Sequence, residues 1–322
     1  MNIIGNCCWI LIWNHKTTQK RELKTWKNFD EQLALLKDRG LIINDDNNAK
    51  KYLRNIGYYR LSGYLYSFRQ KDVQQPKSRL DNFIANSEFD DVRKLYIFDK
   101  KLRYLALDAL ERIEIALRTN ISYVLGEYGA TAYKDSQYFD DTFNHQEWLE
   151  AHEKLLNREK HSSFIKHHRQ HYDDIPIWVV SEIWDFGTMS RLYKGMKSDD
   201  KDKIAKLYHL KSGTHLQTHL HAFNLIRNIS AHHSRLWNRN VVFNATLKGL
   251  EPEFKKLNTK NVFVYFCLMK RMLDVICPNS TWGKRFLDLL EEFPHVKNGA
   301  VNLHQMGVNI RLTTWKLWHY SK

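Results

Sequence analysis

Apolar residues recur at intervals of three and four through most of this chain, and few stretches alternate strictly, so the pattern predicts helices rather than strands. The clearest run covers about 88–126. Leu95, Phe98, Leu102, Leu105, Ala109, Ile113, Leu117, Ile121 and Val124 form one stripe there, which places Arg93, Lys100, Arg103 and Glu111 on other faces. A helix of that length spans a bundle. Ahead of it, 30–39 reads as a short helix stopped by Gly40, and 47–55 as a second one capped by the Asn and Asp residues before it. The glycines of Ile56-Gly57-Tyr58-Tyr59-Arg60-Leu61-Ser62-Gly63-Tyr64 predict a turn and a close helix contact. The polar stretch 70–82, with Pro76, reads as a loop.

Beyond the long helix, 128–144 is loop-like, and helices are expected at 145–158, 161–171 and 177–185. Pro176 opens the last of these and Gly187 breaks it. Asp199 and Asp200 cap a helix that runs to about Tyr208. Ser212 or Thr214 caps another at 214–233, buried through Leu216, Leu220, Phe223 and Ile226. Apolar helices at 260–276 and 281–293 complete the pattern. There is no internal repeat and no low-complexity linker. The expected fold is all-α, a helical bundle around one long helix. Residues 1–28 are an extension whose role the sequence leaves open, 29–86 a small helical region, and 87–322 the bundle with its C-terminal helices.

Charge narrows the choice of partners. The 322 residues hold 50 Lys and Arg against 36 Asp and Glu, a formal charge of +14, and such an excess favours polyanions, of which nucleic acid is the commonest. A hydrophobic fraction of 43% with 27% charged residues fits a folded chain and excludes a disordered one. The cysteines, Cys7, Cys8, Cys267 and Cys277, form no CxxC pair and no disulfide framework, which fits a reducing compartment. The apolar run at 7–13 is too short to span a bilayer and lacks the flanks of a signal peptide. It reads as an amphipathic anchor, a docking strand or a non-native extension. The expectation is a cytoplasmic protein with no membrane partner.

One segment concentrates the chemistry: Arg227-Asn228-Ile229-Ser230-Ala231-His232-His233-Ser234-Arg235-Leu236-Trp237-Asn238-Arg239. Arg227 supplies a phosphate ligand, and His232 a side chain that titrates near neutrality. Five residues of ideal helix advance about 7.5 Å and turn about 140°, so the two side chains do not stack on one face. They flank a groove, or the helix ends between them, or a second copy brings them together across a two-fold axis. Such a cleft suits RNA cleavage without a metal or cofactor. A histidine takes the 2′-hydroxyl proton, a second protonates the leaving oxygen, arginine holds the phosphate oxygens, and Asn228 orients either group. The bland reading is a helix C-terminus with cations near its carbonyls. His233 reads as a packing or hydrogen-bonding neighbour, and Arg235 and Arg239 as phosphate contacts or ion-pair partners. These three, with Asn238 and Glu182, are the supporting or RNA-binding candidates.

Other clusters carry weaker signals. His215 and His219 have the i, i+4 spacing of a zinc pair, but no HExxH surrounds them and no nearby carboxylate completes a site. His161, His167, His168 and His171, among Lys and Arg, read as a solvated basic face, with RNA contact as the second reading. Tyr58, Tyr59, Arg60, Tyr64 and Tyr66 suit either base stacking or a packed helix junction, with the junction favoured. Glu111, Glu114 and Arg118 read as ion pairs along or between helices, with orientation of Arg227 as the alternative.

Arg227-Asn228-x-x-x-His232 is similar to the R-x4–6-H signature of the HEPN superfamily. The wider string resembles the Abi-like proteins of the AbiD/AbiF group of phage abortive-infection factors. Three further stretches agree in order: 56–64, Glu111-Arg112-Ile113-Glu114-Ile115-Ala116-Leu117-Arg118-Thr119, and Trp178-Val179-Val180-Ser181-Glu182-Ile183-Trp184-Asp185-Phe186-Gly187. The resemblance runs from about Phe29 to Arg239. It implies a HEPN-like bundle, a homodimer formed through the motif face, and a metal-independent endoribonuclease with Arg227, His232 and Asn228 as its catalytic residues. It also implies a toxin-like role in phage defence, restrained by an RNA or protein antitoxin. The alternatives are a non-catalytic RNA-binding module and a partner-docking helical module.

Overall fold

The computed structural model describes residues 23–75 and 78–319. The apolar run at 7–13, most of the extension 1–28, and Pro76 lie outside the described residues. Twelve α-helices and one two-stranded sheet are present among the described residues, so the fold class is all-α.

Helix α1 (Phe29–Asp38) starts with a capping box in which Asn28 and Glu31 each accept the other's backbone N–H, at 2.9 and 2.8 Å. Asp45 accepts the Asn48 N–H at the start of α2 (Asp46–Ile56). Gly57, at φ 89°, then turns the chain into α3 (Tyr58–Leu65), a conformation that favours glycine. The loop expected over 70–82 is instead an antiparallel hairpin. Strand β1 (Arg69–Lys71) pairs with β2 (Arg79–Phe83), with Arg69 opposite Phe83 and Lys71 opposite Arg79. These strands are short and mostly solvent-facing, so they lack apolar alternation. Asp81 pairs with Arg69 across the hairpin at 3.0 Å and ties the hairpin to the end of α1 through Arg39 at 2.9 Å.

Helix α4 (Phe89–Gly126) has 38 residues and is about 57 Å long. Its stripe from Leu95 to Val124 is buried as the periodicity predicts. Arg103 departs from that prediction. It is 4% exposed, because Asp99 one turn earlier is buried beside it and pairs with it. After two 3₁₀ turns come α5 (His145–Arg158), α6 (Ser163–His171) and the single turn α7 (Ile177–Val180). The chain breaks after a 3₁₀ turn at Ser181–Ile183, earlier than expected. Asp185 caps a new helix, α8 (Phe186–Gly195), by accepting the Thr188 N–H at 2.7 Å, so Gly187 lies inside a helix rather than ending one.

In α9 (Ser198–Leu207), Asp199 and Asp200 occupy the first turn rather than the cap. A Cβ on Gly213 would sit 2.2 Å from Lys201 Cβ, so only glycine permits α10 (Gly213–Ala231) to start this close to α9. Helix α11 (Phe263–Ile276) is buried over most of its length, and α12 (Trp282–Glu291) follows. Helices α3, α7, α8, α9, α10, α11 and α12 all pack on α4. The C-terminal pair is fastened there by the Trp282 indole, which donates to the Leu105 carbonyl at 2.8 Å, and by a Lys101–Glu292 ion pair. No helix among the described residues is long and apolar enough to cross a membrane.

Two core histidines set a pH limit. Burial pushes His152 from 6.5 to about 4, with Lys134 adding to the shift. Its Nδ1 accepts the Trp184 indole N–H at 3.0 Å, a bond that only the unprotonated nitrogen makes. Burial likewise pushes His219 to about 4. Below pH 6.5 the unfolded chain takes up protons at these sites that the folded chain refuses, so stability falls as pH drops toward 4. The predicted loss at pH 5 is about 2 kcal/mol for each histidine. Urea melts from pH 7 to 5 should show this, and His152→Gln or His219→Gln should flatten the profile. A flat wild-type profile contradicts it.

Candidate functional site

Helix α10 presents its chemistry at its C-terminal end. Leu216, Leu220, Phe223 and Ile226 bury one face and fix the rotation of the helix. Arg227 is half-buried, Asn228 is exposed, and Arg227 Nη1 lies 3.5 Å from Asn228 Oδ1. The helix ends at Ala231, two residues earlier than the periodicity suggested. His232 is the cap residue and His233 follows at φ 56°. The His233 N–H donates to the Ser230 carbonyl at 3.1 Å, and the Ser234 N–H reaches back to the Ile229 carbonyl at 3.0 Å. This is a Schellman cap, with histidine in the left-handed position usually held by glycine. It places the exposed His232 side chain at the point where the chain leaves the helix. The imidazole forms no hydrogen bond to another described residue.

The segment leaving α10 is held by a buried polar knot. Asp99 of α4 is fully buried. It accepts the Trp237 N–H at 2.7 Å, the Leu236 N–H at 3.1 Å, the Tyr64 hydroxyl at 2.6 Å, and a bond from Arg103. Burial pushes the Asp99 carboxyl up, while Arg103, Tyr64 and the two backbone donors oppose the rise. Four donors converging on two oxygens is the environment an ionised carboxylate fits. Around the knot, Arg60 donates to the His233 carbonyl at 2.6 Å, Arg103 to the Ser234 carbonyl at 3.3 Å, and Arg235 to the Gly63 carbonyl. The 56–64 stretch is therefore the other half of the knot, with Leu61 and Tyr64 buried and Tyr59 exposed.

A second polar link lies along α4. Arg118 pairs with Glu114 and donates to the carbonyls of Trp184 and Glu182, which ties the turn before α8 to the long helix. Glu182 thus contributes its main chain, and its side chain is exposed. Burial pushes the Glu114 carboxyl up, Arg118 and Arg227 draw it back down, and Asp185 adds to the rise. Glu114 of α4 therefore sits in the field of Arg227.

The structure brings Arg227, Asn228 and His232 together at one helix end, and places His233 and Arg235 in the exit clamp. Asn238 is half-buried, and Arg239 is exposed. Four of the other histidines singled out in the sequence have local partners. His215 meets the Ser212 hydroxyl at 2.8 Å, His219 the Thr246 carbonyl at 2.9 Å, and His168 and His171 carbonyls of their own helix. No three His, Cys, Asp or Glu side chains group as metal ligands among the described residues. Asp99 escaped the sequence reading, and Arg103 was placed on an outer face. The available signal was position: Asp99 falls on the apolar stripe, four residues after Leu95 and three before Leu102.

Residues 51–238, more than half of the chain, match the Abi-like protein family. The chain belongs to the Abi-like family. No curated protein and no solved structure matches it. The family match starts in α2 and ends just past Trp237. It therefore takes in α3, α4, the Arg118 link, α10 and the whole clamp of this Abi-like protein, and leaves α11 and α12 outside.

Two stability predictions follow from this geometry. Asp99→Asn leaves Arg103 buried without its counter-charge and should destabilise the fold by about 3 kcal/mol or more in urea melts. A loss under about 1 kcal/mol contradicts a structural clamp. His233→Gly removes left-handed strain and should stabilise by about 1 kcal/mol. A lower melting midpoint contradicts the cap.

Proposed function

We propose that this Abi-like protein is a metal-independent endoribonuclease of the HEPN type, acting in abortive-infection phage defence. Membership of the Abi-like family suggests the defence role. The observation that carries the chemical reading is the exposed His232 at a capped helix end, five residues after Arg227, on a segment whose backbone is fixed by Asp99.

RNA supplies its own nucleophile, the 2′-hydroxyl beside each phosphate. In the proposed reaction His232 accepts that proton, and the 2′ oxygen bonds to phosphorus as the bond to the 5′ oxygen breaks. A second histidine protonates the departing 5′ oxygen. Arg227 binds the non-bridging oxygens and offsets the charge that grows on them, and Asn228 positions the phosphate through its amide. The products are a 2′,3′-cyclic phosphate and a 5′-hydroxyl end.

A homodimer would supply the second histidine. In support, Ile115 beside Glu114, Tyr123 further along α4, and Trp178 on α7 are large apolar side chains more than half exposed. An apolar face of this kind suits a partner surface. In the same reading an RNA or protein antitoxin keeps the enzyme silent in the cytoplasm until infection.

His232→Ala and Arg227→Ala should each slow cleavage of single-stranded RNA by about 100-fold or more, with the helical circular dichroism unchanged. Equal cleavage by folded wild type and His232→Ala would sink the assignment.

A further inference from the structure

A cleft of about 510 Å³ lies between α8 and the 217–224 stretch of α10, on the N-terminal side of Arg227 and His232. Arg191 and Lys194 line it from α8, and Gln217, His221 and Asn224 from α10. The acidic side chain on its walls is Asp185, which is engaged in capping α8. Arg191 and Lys194 are exposed and form no ion pair among the described residues, unlike most arginines of this protein, which are turned onto carboxylates or carbonyls. Burial, and then the charge of Lys194, push His221 down, and its imidazole lines the cleft beside that cation. It stacks on Phe243 with ring centroids 3.7 Å apart, and both rings reach the surface.

The cleft and the proposed catalytic end share one helix. Gln217, His221, Asn224 and Asn228 follow each other at spacings of four, three and four, which keeps them within about 60° on the surface of α10. The stripe leads to His232, and from His221 to His232 the axial distance is about 16 Å. Unpaired cations beside a stacked aromatic pair, continuous with amides, form the arrangement that tracks a single strand. Cations hold the phosphates and ring faces hold the bases.

We infer that the α8–α10 cleft is a binding subsite for the sugar–phosphate backbone of single-stranded RNA, with Arg191 and Lys194 as phosphate ligands and the His221–Phe243 pair as a base platform. It directs the strand toward His232. The inference rests on the ribonuclease reading, and it extends the substrate contact well beyond the scissile phosphate.

The test uses a fluorescein-labelled single-stranded oligoribonucleotide and the His232→Ala protein, so that the probe stays intact. Its affinity is measured by anisotropy over a range of NaCl concentrations. Adding Arg191→Gln and Lys194→Gln together should weaken binding at low salt by roughly ten-fold. It should also reduce the log–log salt slope by about 1.4, or roughly 0.7 for each lost phosphate contact. Lys166→Gln with Arg169→Gln removes the same charge from exposed positions of α6 that do not line the cleft, and should leave the slope near that of the parent. An unchanged slope in the cleft variant, an equal drop in the α6 control, or no RNA binding by the parent overturns the subsite. Cleavage by the wild type is scored separately. If RNA is cut while the cleft variant binds normally, the subsite fails and the ribonuclease reading stands. If RNA is bound through the cleft but never cut, the reverse holds.

Discussion

The carboxylate of Asp99 is the constraint on which the site depends. Its two oxygens collect a guanidinium, a phenol and two backbone N–H groups, and those donors come from three separate stretches of sequence: α3, α4 and the irregular segment leaving α10. A buried ion pair adds little net stability over an apolar core of the same shape, but breaking one is expensive. The effect of the knot is therefore geometric. It admits one arrangement of that segment, and with it one position for the end of α10. The Schellman cap at His233 completes the constraint, because a left-handed residue turns the chain sharply into the segment that Asp99 holds.

Helix α4 uses the same device twice. Asp99–Arg103 and Glu114–Arg118 are both acid–base pairs one turn apart, and in each the arginine reaches past its carboxylate to backbone carbonyls of a neighbouring segment. The first pair anchors the segment after His232. The second anchors the turn before α8 and places Glu114 in the field of Arg227. A rigid helix about 57 Å long thus sets both the basic helix end and the helix that forms the far wall of the cleft. Arg60, Arg103, Arg118 and Arg235 are occupied in this way, on carboxylates or backbone carbonyls. Arg227, Arg191 and Lys194 form no ion pair among the described residues.

The long helices were legible because burial of one stripe imposes a 3.6-residue period, and α4, α10, α11 and α12 appear close to where that period puts them. The misreadings have physical causes. The β1–β2 hairpin is polar on both sides and held by Asp81, so no alternation marks it. Gly187 resembles a helix breaker, but Asp185 caps the helix that contains it. Arg103 was placed on an outer face because its charge hid a partner one turn away. At the candidate site, Arg227, Asn228 and His232 could be singled out because they lie on one short segment at the end of a predicted helix. The clamp and the α8–α10 cleft could not, because their residues meet only after α3, α8 and α10 have packed.

The most direct measurement is the chemistry of the RNA ends left by the purified protein in excess chelator. The account predicts that cleavage persists and that every new 3′ end is a 2′,3′-cyclic phosphate. Products with 3′-hydroxyl ends, or cleavage that chelation abolishes, would contradict a reaction carried by Arg227 and His232.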